Sequence, residues 1–275
     1  MPSDIELKEA VRSRYARTAT TASSCCAPSG SSSCCSEPST SRAIGYSADD
    51  LAGIPEGADL GLGCGNPLAM LGLQEGETVI DLGSGAGIDC FIAAKRVGPS
   101  GRVIGVDMTP EMIAKARRNA AQAGVTNVEF RLGEIEHLPV ADGEADAIVS
   151  NCVINLVPDK GQVFADAFRA LKPGGRLSVS DIVLLGEMPE QLVASVEAYV
   201  ACVAGAIKLD QYLSLVSAAG FTDVAVTSEQ RFSGDEVLGQ DLTREYMAHS
   251  DVSEAEVRAA AENFASVRVE ARKPA

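Results

Sequence analysis

Short apolar runs rich in β-branched residues recur through the middle of the chain, each closed by glycine, asparagine or an acidic residue. They fall at TVIDLG (78–83), RVIGVDM (102–108), VEFRLG (128–133), ADAIVSN (145–151) and RLSVSDIV (176–183), and they predict strands. Between them, apolar residues spaced three and four apart in IDCFIAAKRV, PEMIAKARRNAAQAG and KGQVFADAFRAL predict helices. Pro110 opens one of these behind Thr109 as N-cap. LKPGGRL reads as a helix stop and turn before the fifth strand. Strand and helix in alternation predict an α/β fold with a doubly wound, mostly parallel sheet.

After Val183 the pattern changes. PEQLVASVEAYVACVAGAI and LDQYLSLVSAAG read as two helices, then FTDVAV (221–226) and SVRVEARK (266–273) as strands. An α-helical insertion followed by two returning strands completes a seven-stranded sheet; residues 228–265 give no clear period. At the other end, MPSDIELKEAVRSRYAR predicts a short amphipathic helix, followed by a Ser/Thr-rich segment from Thr18 to Arg42 that cannot build a core. The chain therefore divides into an N-terminal helix and low-complexity tail (1–45), a core (46–187) and a C-terminal lobe (188–275). The tail's composition leads to the expectation that removing residues 1–42 leaves the fold and ligand binding intact.

With 275 residues, 46% of them hydrophobic, the chain can bury a sizeable core, and its net charge of −15 argues against nucleic acid as partner. No apolar run approaches the roughly 18 residues of a membrane span, and the N-terminus lacks the apolar centre of a signal peptide. The expected location is the cytoplasm, where the eight cysteines stay reduced and serve as reactive or ligating groups. The two histidines, His137 and His249, are too few for a His-rich metal site; His137 reads as a polar loop residue.

VIDLGSGAGIDC places Gly83, Ser84, Gly85 and Gly87 between the first strand and the first helix. Glycines there let the backbone approach a ligand. A dinucleotide fingerprint needs G-x-G-x-x-G, but the last position is Ile88 counted from Gly83 and Cys90 counted from Gly85. Asp81 inside the strand suits a cationic amine better than a pyrophosphate. Asp107 ends the second strand, where a carboxylate accepts hydrogen bonds from ribose hydroxyls. With GEIEHLP after the third strand, these features favour S-adenosylmethionine over NAD.

Open α/β sheets bind ligands beyond the carboxyl ends of their strands. Cys152 lies there, just past the fourth strand; Cys64 lies in GLGCGNPLAM, upstream of the first; Cys202 lies on the inserted helix. Each alone reads as a small core residue, and Cys90 is read as core. A methyl donor beside several thiols points instead to a thiophilic acceptor. Trivalent arsenic binds thiolates and keeps a lone pair that can attack a sulfonium methyl without a general base.

LGCGNPLAMLGLQEGETVIDLGSGAGIDCFIAAKRVGPSGRVIGVDMTPEMI and LGEIEHLPVADGEADAIVSNCVINLVPDK closely resemble bacterial arsenite S-adenosylmethionine methyltransferases, over roughly Tyr46 to Asp210. The resemblance implies a class I methyltransferase fold and arsenic carried by Cys64, Cys152 and Cys202. It implies a cofactor pocket drawn from Asp81, Gly83, Ser84, Gly85, Asp107, Met108, Ile135, Glu136 and Asn151, flanked by Gly133 and Glu134. It implies arsenite and methylarsenite as substrates in detoxification, thioredoxin or glutathione as reductant, and an extra N-terminal cysteine among Cys25, Cys26, Cys34 and Cys35. The rivals are a methyltransferase for an organic molecule such as a quinone precursor or sterol, and a non-catalytic thiol binder of metalloids. The first needs a base or aromatic walls, which a chain with no Trp and 4% aromatics supplies poorly; tight S-adenosylmethionine binding argues against the second. Asp107→Ala is expected to weaken S-adenosylmethionine binding by about 1–3 kcal/mol, the cost of ribose hydrogen bonds left unmade. Calorimetry checks this, and an unchanged affinity removes Asp107 from the site.

Overall fold

The computed structural model describes residues 3–21, 40–187, 205–239, 247 and 252–275. Cys202, His249, Cys25, Cys26, Cys34 and Cys35 lie outside the described residues, as does most of the predicted inserted helix. Seven strands form one sheet: β1 (Thr78–Leu82), β2 (Arg102–Asp107), β3 (Val128–Leu132), β4 (Ala145–Asn151), β5 (Leu171–Leu184), β6 (Thr222–Arg231) and β7 (Phe264–Arg272), in the order β3-β2-β1-β4-β5-β7-β6. Only β7 runs against its neighbours. The expected doubly wound sheet is present. Strand β7 pairs with β5 and β6 pairs with β7, so the last two strands extend the core sheet rather than form a lobe apart from it.

β1 and β2 are almost wholly buried, as strands covered on both faces by helices must be. Helices α4 (Ile88–Val97) and α5 (Pro110–Ala123) cover the β1–β3 half, with Phe91 edge-on to Phe130. Helices α6 (Lys160–Ala170) and α7 (Leu209–Ala218) cover the other face, where Phe164 meets Tyr212. Thr109 does sit at the N-cap of α5, but its side chain makes no capping hydrogen bond; Pro110 at N1 sets the entry instead. Two short helices, α2 (Thr40–Ala43) and α3 (Ala48–Leu51), precede β1. Within the stretch that the sequence leaves without a period, α8 (Gly234–Gly239) and α9 (Glu254–Ala261) form; Ser253 and Glu256 make a capping box at the start of α9. Among the described residues no helix is long and apolar enough to cross a membrane.

The chain passes from β1 outward through β2 to β3, then returns to place β4 on the other side of β1. That reversal opens a crevice at the carboxyl ends of β1 and β4. Leu82 pairs with Ser150 at this edge, so the loops that follow them emerge side by side.

The N-terminus differs from the sequence expectation. Helix α1 (Asp4–Thr21) runs past Thr18 and packs on α5, burying Val11 and Ala19. Lys8 reaches Glu134 at 2.7 Å and Glu136 at 2.6 Å. Ser41 is buried and donates to Asp59. Residues 1–42 are therefore not wholly dispensable, because α1 forms one wall of the central crevice with Lys8, Val11 and Tyr15. Removing residues 1–21 is expected to lower both the melting temperature and the affinity for S-adenosylmethionine. The milder Val11→Ser should lower stability by about 1–3 kcal/mol, the loss of one buried aliphatic side chain. Thermal melting and calorimetry on the two variants check this.

Candidate active site

The crevice between β1 and β4 encloses about 1040 Å³, counting its open mouth. The glycine loop forms its floor. Gly83 has φ +69°, and a Cβ there would meet Val153 at 2.5 Å, so the loops after β1 and β4 touch and only glycine permits it. Gly85 has φ +52° and faces open space. Asp107 clasps the loop: its carboxylate accepts the Gly85 N–H at 2.9 Å and the Thr109 N–H at 2.8 Å. Burial raises its pKa against those two bonds.

The expected cofactor residues converge here. Asp81, Gly83, Ser84 and Gly85 come from the first strand and its loop, and Asp107 and Met108 from the end of β2. Ile135 and Glu136 follow β3, with Gly133 beside them; Glu134 points away toward α1 and is held by Lys8. Ser84 lines the crevice, and its Oγ is buried beside Gly105 of β2 with no hydrogen-bond partner among the described residues.

Two acidic residues face each other deep in the site. Burial, and then the negative charge of Asp89, hold the Asp81 carboxyl well above the usual range. Asp89 is raised to about 6 by burial, opposed by hydrogen bonds from Tyr46 and Asn151. Tyr46 Oη donates to Asp89 Oδ1 at 2.8 Å. The sequence reading missed Tyr46 and Asp89; an acid one residue into the helix after a glycine loop was the available signal. A pair of buried, mutually repelling carboxylates fits an ammonium group placed between them. Each Asp107 oxygen accepts one backbone N–H and keeps a second lone pair that a ribose hydroxyl could use, so the site fits S-adenosylmethionine. Cys90 is fully buried and donates its S–H to Asp81 Oδ2 at 3.2 Å, so it belongs to the packing under the loop, as expected.

Cys152 occupies an unusual backbone. Its φ is +60°, left-handed for a residue with a side chain, which costs about 1–2 kcal/mol. Its N–H is held by the Ser180 carbonyl at 2.8 Å. The same carbonyl accepts the Cys64 S–H at 3.6 Å. Cys64 reaches this point because its loop lies flat on the ends of β4 and β5; a Cβ on Gly65 would meet Ser180 at 2.9 Å. Asn151 Oδ1 accepts the Cys64 N–H at 3.1 Å, and its Nδ2 donates to Gly65 O and Tyr46 Oη, both at 2.8 Å. Asn151 lines the crevice as expected, yet its amide is engaged by protein. Its geometry is that of a clamp on the Cys64 loop rather than of a spare donor to the cofactor.

The outcome is a cluster: one ligand atom each from Cys64, Cys152 and Asp181 lie within 4.8 Å of one another. Cys152 faces the cofactor crevice, whereas Cys64 lines a smaller polar cavity behind it, beside Ser180, Ser266 and Arg268. Asp181 was not foreseen. Burial raises it to about 7, against hydrogen bonding from the Ile182 N–H and the charge of Lys160. Tyr212, fully buried, donates to Asp181 Oδ2 at 3.3 Å. His137 is exposed on its loop and takes no part.

The raised carboxyls set a pH dependence. A carboxyl raised by folding stabilises the native state while it is protonated, and that stability is lost as pH climbs through its folded pKa. The ligand-free protein is therefore expected to melt higher near pH 5 than near pH 8, and Asp89→Asn should reduce the difference by roughly 1.4 kcal/mol, the part of its shift that lies above pH 5. Thermal melts across pH test it; an identical pH profile for Asp89→Asn contradicts it.

A methyltransferase-domain family model matches residues 73–231. The arsenite methyltransferase of Halobacterium salinarum is 48% identical over 278 residues, covering 98% of this chain and 67% of that protein. The human arsenite methyltransferase is 39% identical over 52% of this chain and 40% of its own length. The arsenic(III) S-adenosylmethionine methyltransferase of Chlamydomonas reinhardtii, seen by crystallography, superposes with a TM-score of 0.62 at 29% identity, covering 87% of this chain and 74% of that one. The chain spans between 40% and 67% of the length of these two curated relatives. The glycine loop, the Asp107 clasp and the two converging cysteines thus belong to a protein of the arsenite methyltransferase family, an S-adenosylmethionine-dependent methyltransferase.

Proposed function

We propose that this chain methylates arsenite and then methylarsenite, with arsenic held by cysteine thiolates at the rim of the S-adenosylmethionine crevice. The observation that carries the reading is the meeting of Cys64 and Cys152 on the Ser180 carbonyl, with Cys152 in a strained conformation that faces the crevice. Soft thiolates select soft ions, and two pre-positioned thiols favour an acceptor that exchanges hydroxyl for sulfur. Cys202 is the proposed third thiolate.

S-adenosylmethionine, when bound, supplies a methyl group on a positively charged sulfur. Asp81 and Asp89 are the proposed seat of its ammonium, Asp107 of its ribose, and Ile135 and Glu136 of the adenine end. Cys152 then holds arsenic with the lone pair toward the crevice, and positioning of this kind supplies much of the rate. An arsenic–carbon bond would form from that lone pair as the methyl's bond to sulfur breaks and its electron pair leaves with S-adenosylhomocysteine, so no proton leaves the nucleophile and no base is required. Arsenic is formally oxidised by two electrons. Two thiolates leaving as a disulfide return those electrons, and thioredoxin or glutathione then reduces the disulfide. An N-terminal cysteine among Cys25, Cys26, Cys34 and Cys35 is a proposed participant in that recycling. The biological role is arsenic detoxification in the cytoplasm.

Valence separates the thiols. Arsenite offers three exchangeable positions and methylarsenite two. Cys64→Ser is expected to lower arsenite methylation by about 100-fold while leaving most methylarsenite methylation, because Cys152 and Cys202 remain. Cys152→Ser and Cys202→Ser should each lose both reactions, since misplaced reactants cost about 100-fold or more. Single-turnover assays with excess reductant, with arsenic products separated by chromatography, test this. Full activity of Cys152→Ser on both substrates contradicts the reading.

A further inference from the structure

Arsenite is a trihydroxide, so two thiols leave it with one hydroxyl. In a buried site that hydroxyl needs an acceptor, because an unmet polar group is costly. Resting on the arsenic reading above, we propose that Asp181 is this acceptor: it holds the residual hydroxyl of an arsenic bonded to Cys64 and Cys152 and so selects hydroxylated arsenic for capture.

The placement supports it. A carboxyl oxygen of Asp181 lies within 4.8 Å of both sulfurs, the separation that one bridging atom and its hydroxyl span. Asp181 is 1% exposed, so water does not compete freely. Its carboxyl is fixed from behind. The Ile182 N–H donates to Oδ1 at 2.9 Å, Tyr212 Oη donates to Oδ2 at 3.3 Å, and the Asn155 backbone contributes a further hydrogen bond. A carboxylate offers about four lone-pair sites, which leaves one for a new donor. Tyr212 acts through Asp181 and is a positioning residue; it is buried between α6 and the sheet and interacts electrostatically with both cysteines.

The loading step balances. Each thiol forms one arsenic–sulfur bond, one arsenic–oxygen bond breaks, and the thiol proton leaves with the departing hydroxide as water. Two such exchanges convert As(OH)3 to a dithiolate carrying one hydroxyl, with no change of oxidation state. Methylarsenite, CH3As(OH)2, loses both hydroxyls in two such exchanges, whichever pair of thiols makes them, and has none left for Asp181. The residue therefore discriminates between the two substrates at the moment of capture, before a third thiolate displaces the last hydroxyl.

The test is equilibrium dialysis of reduced full-length protein against arsenite and, separately, methylarsenite, with bound arsenic measured by mass spectrometry. Asp181→Asn keeps the shape but puts an NH2 donor where one oxygen stood. It is expected to weaken arsenite binding roughly tenfold or more, the loss of a hydrogen bond to a charged group. Methylarsenite binding should change less than about twofold. Tyr212→Phe, which removes only the O–H that orients Asp181, should give a smaller loss with the same selectivity, and it carries the test alone if Asp181→Asn does not fold. Equal losses for both ligands mark a merely structural role and overturn the proposal, as does no loss for either. Arsenite binding that survives Cys64→Ser and Cys152→Ser together overturns the arsenic-site reading and this proposal with it. Binding that needs both cysteines but ignores Asp181→Asn and Tyr212→Phe overturns this proposal alone.

Discussion

One carbonyl oxygen, that of Ser180, holds the site together. It accepts the backbone N–H of Cys152 and the thiol of Cys64, joining two cysteines that are far apart in sequence. Ser180 can do this because it pairs with Asn151, the last residue of β4, and so stands level with the mouth of the crevice. Asn151 in turn clamps the Cys64 loop through its amide. Sheet register thus fixes where the thiols lie relative to the glycine loop. The left-handed turn at Cys152 is sustained by that register, since its own N–H is paired across to β5.

The electrostatics of the site follow from burial rather than from the chain's overall negative charge. Asp81, Asp89, Asp107 and Asp181 are all raised by desolvation, and among the described residues the charges of Arg96 near Asp89 and Lys160 near Asp181 offset it only in part. The cations nearest the crevice are committed elsewhere. Lys8 bridges Glu134 and Glu136 at the α1 wall, and Lys160 donates to the Val157 carbonyl. The ligand-free site therefore carries an electrostatic cost that a cationic group seated there would relieve. It is also where stability is yielded to function.

Much of this was legible in the sequence because it rests on local rules. Short apolar, β-branched runs and glycine punctuation locate β1 through β5. The failed dinucleotide spacing at Ile88 and Cys90 narrows the nucleotide, and Cys152 stands out by its place after a strand. What was not legible depends on contacts between distant segments. Asp181 sits in VSDIV, where the sequence does not show that β4, β7 and Tyr212 of α7 will close over it. Lys8 and Val11 look like an ordinary surface helix until α1 is laid on α5. Asn151 reads as a ligand contact, but a single side-chain amide serves four protein partners at once.

The central claim is that arsenic is bound through sulfur at Cys152. X-ray absorption at the arsenic edge, on protein loaded with one equivalent of arsenite, measures this most directly. The account predicts a first shell of sulfur in the native protein, with sulfur replaced by oxygen in Cys152→Ser. A shell of oxygen alone in the native protein, or identical spectra for the two, would contradict it.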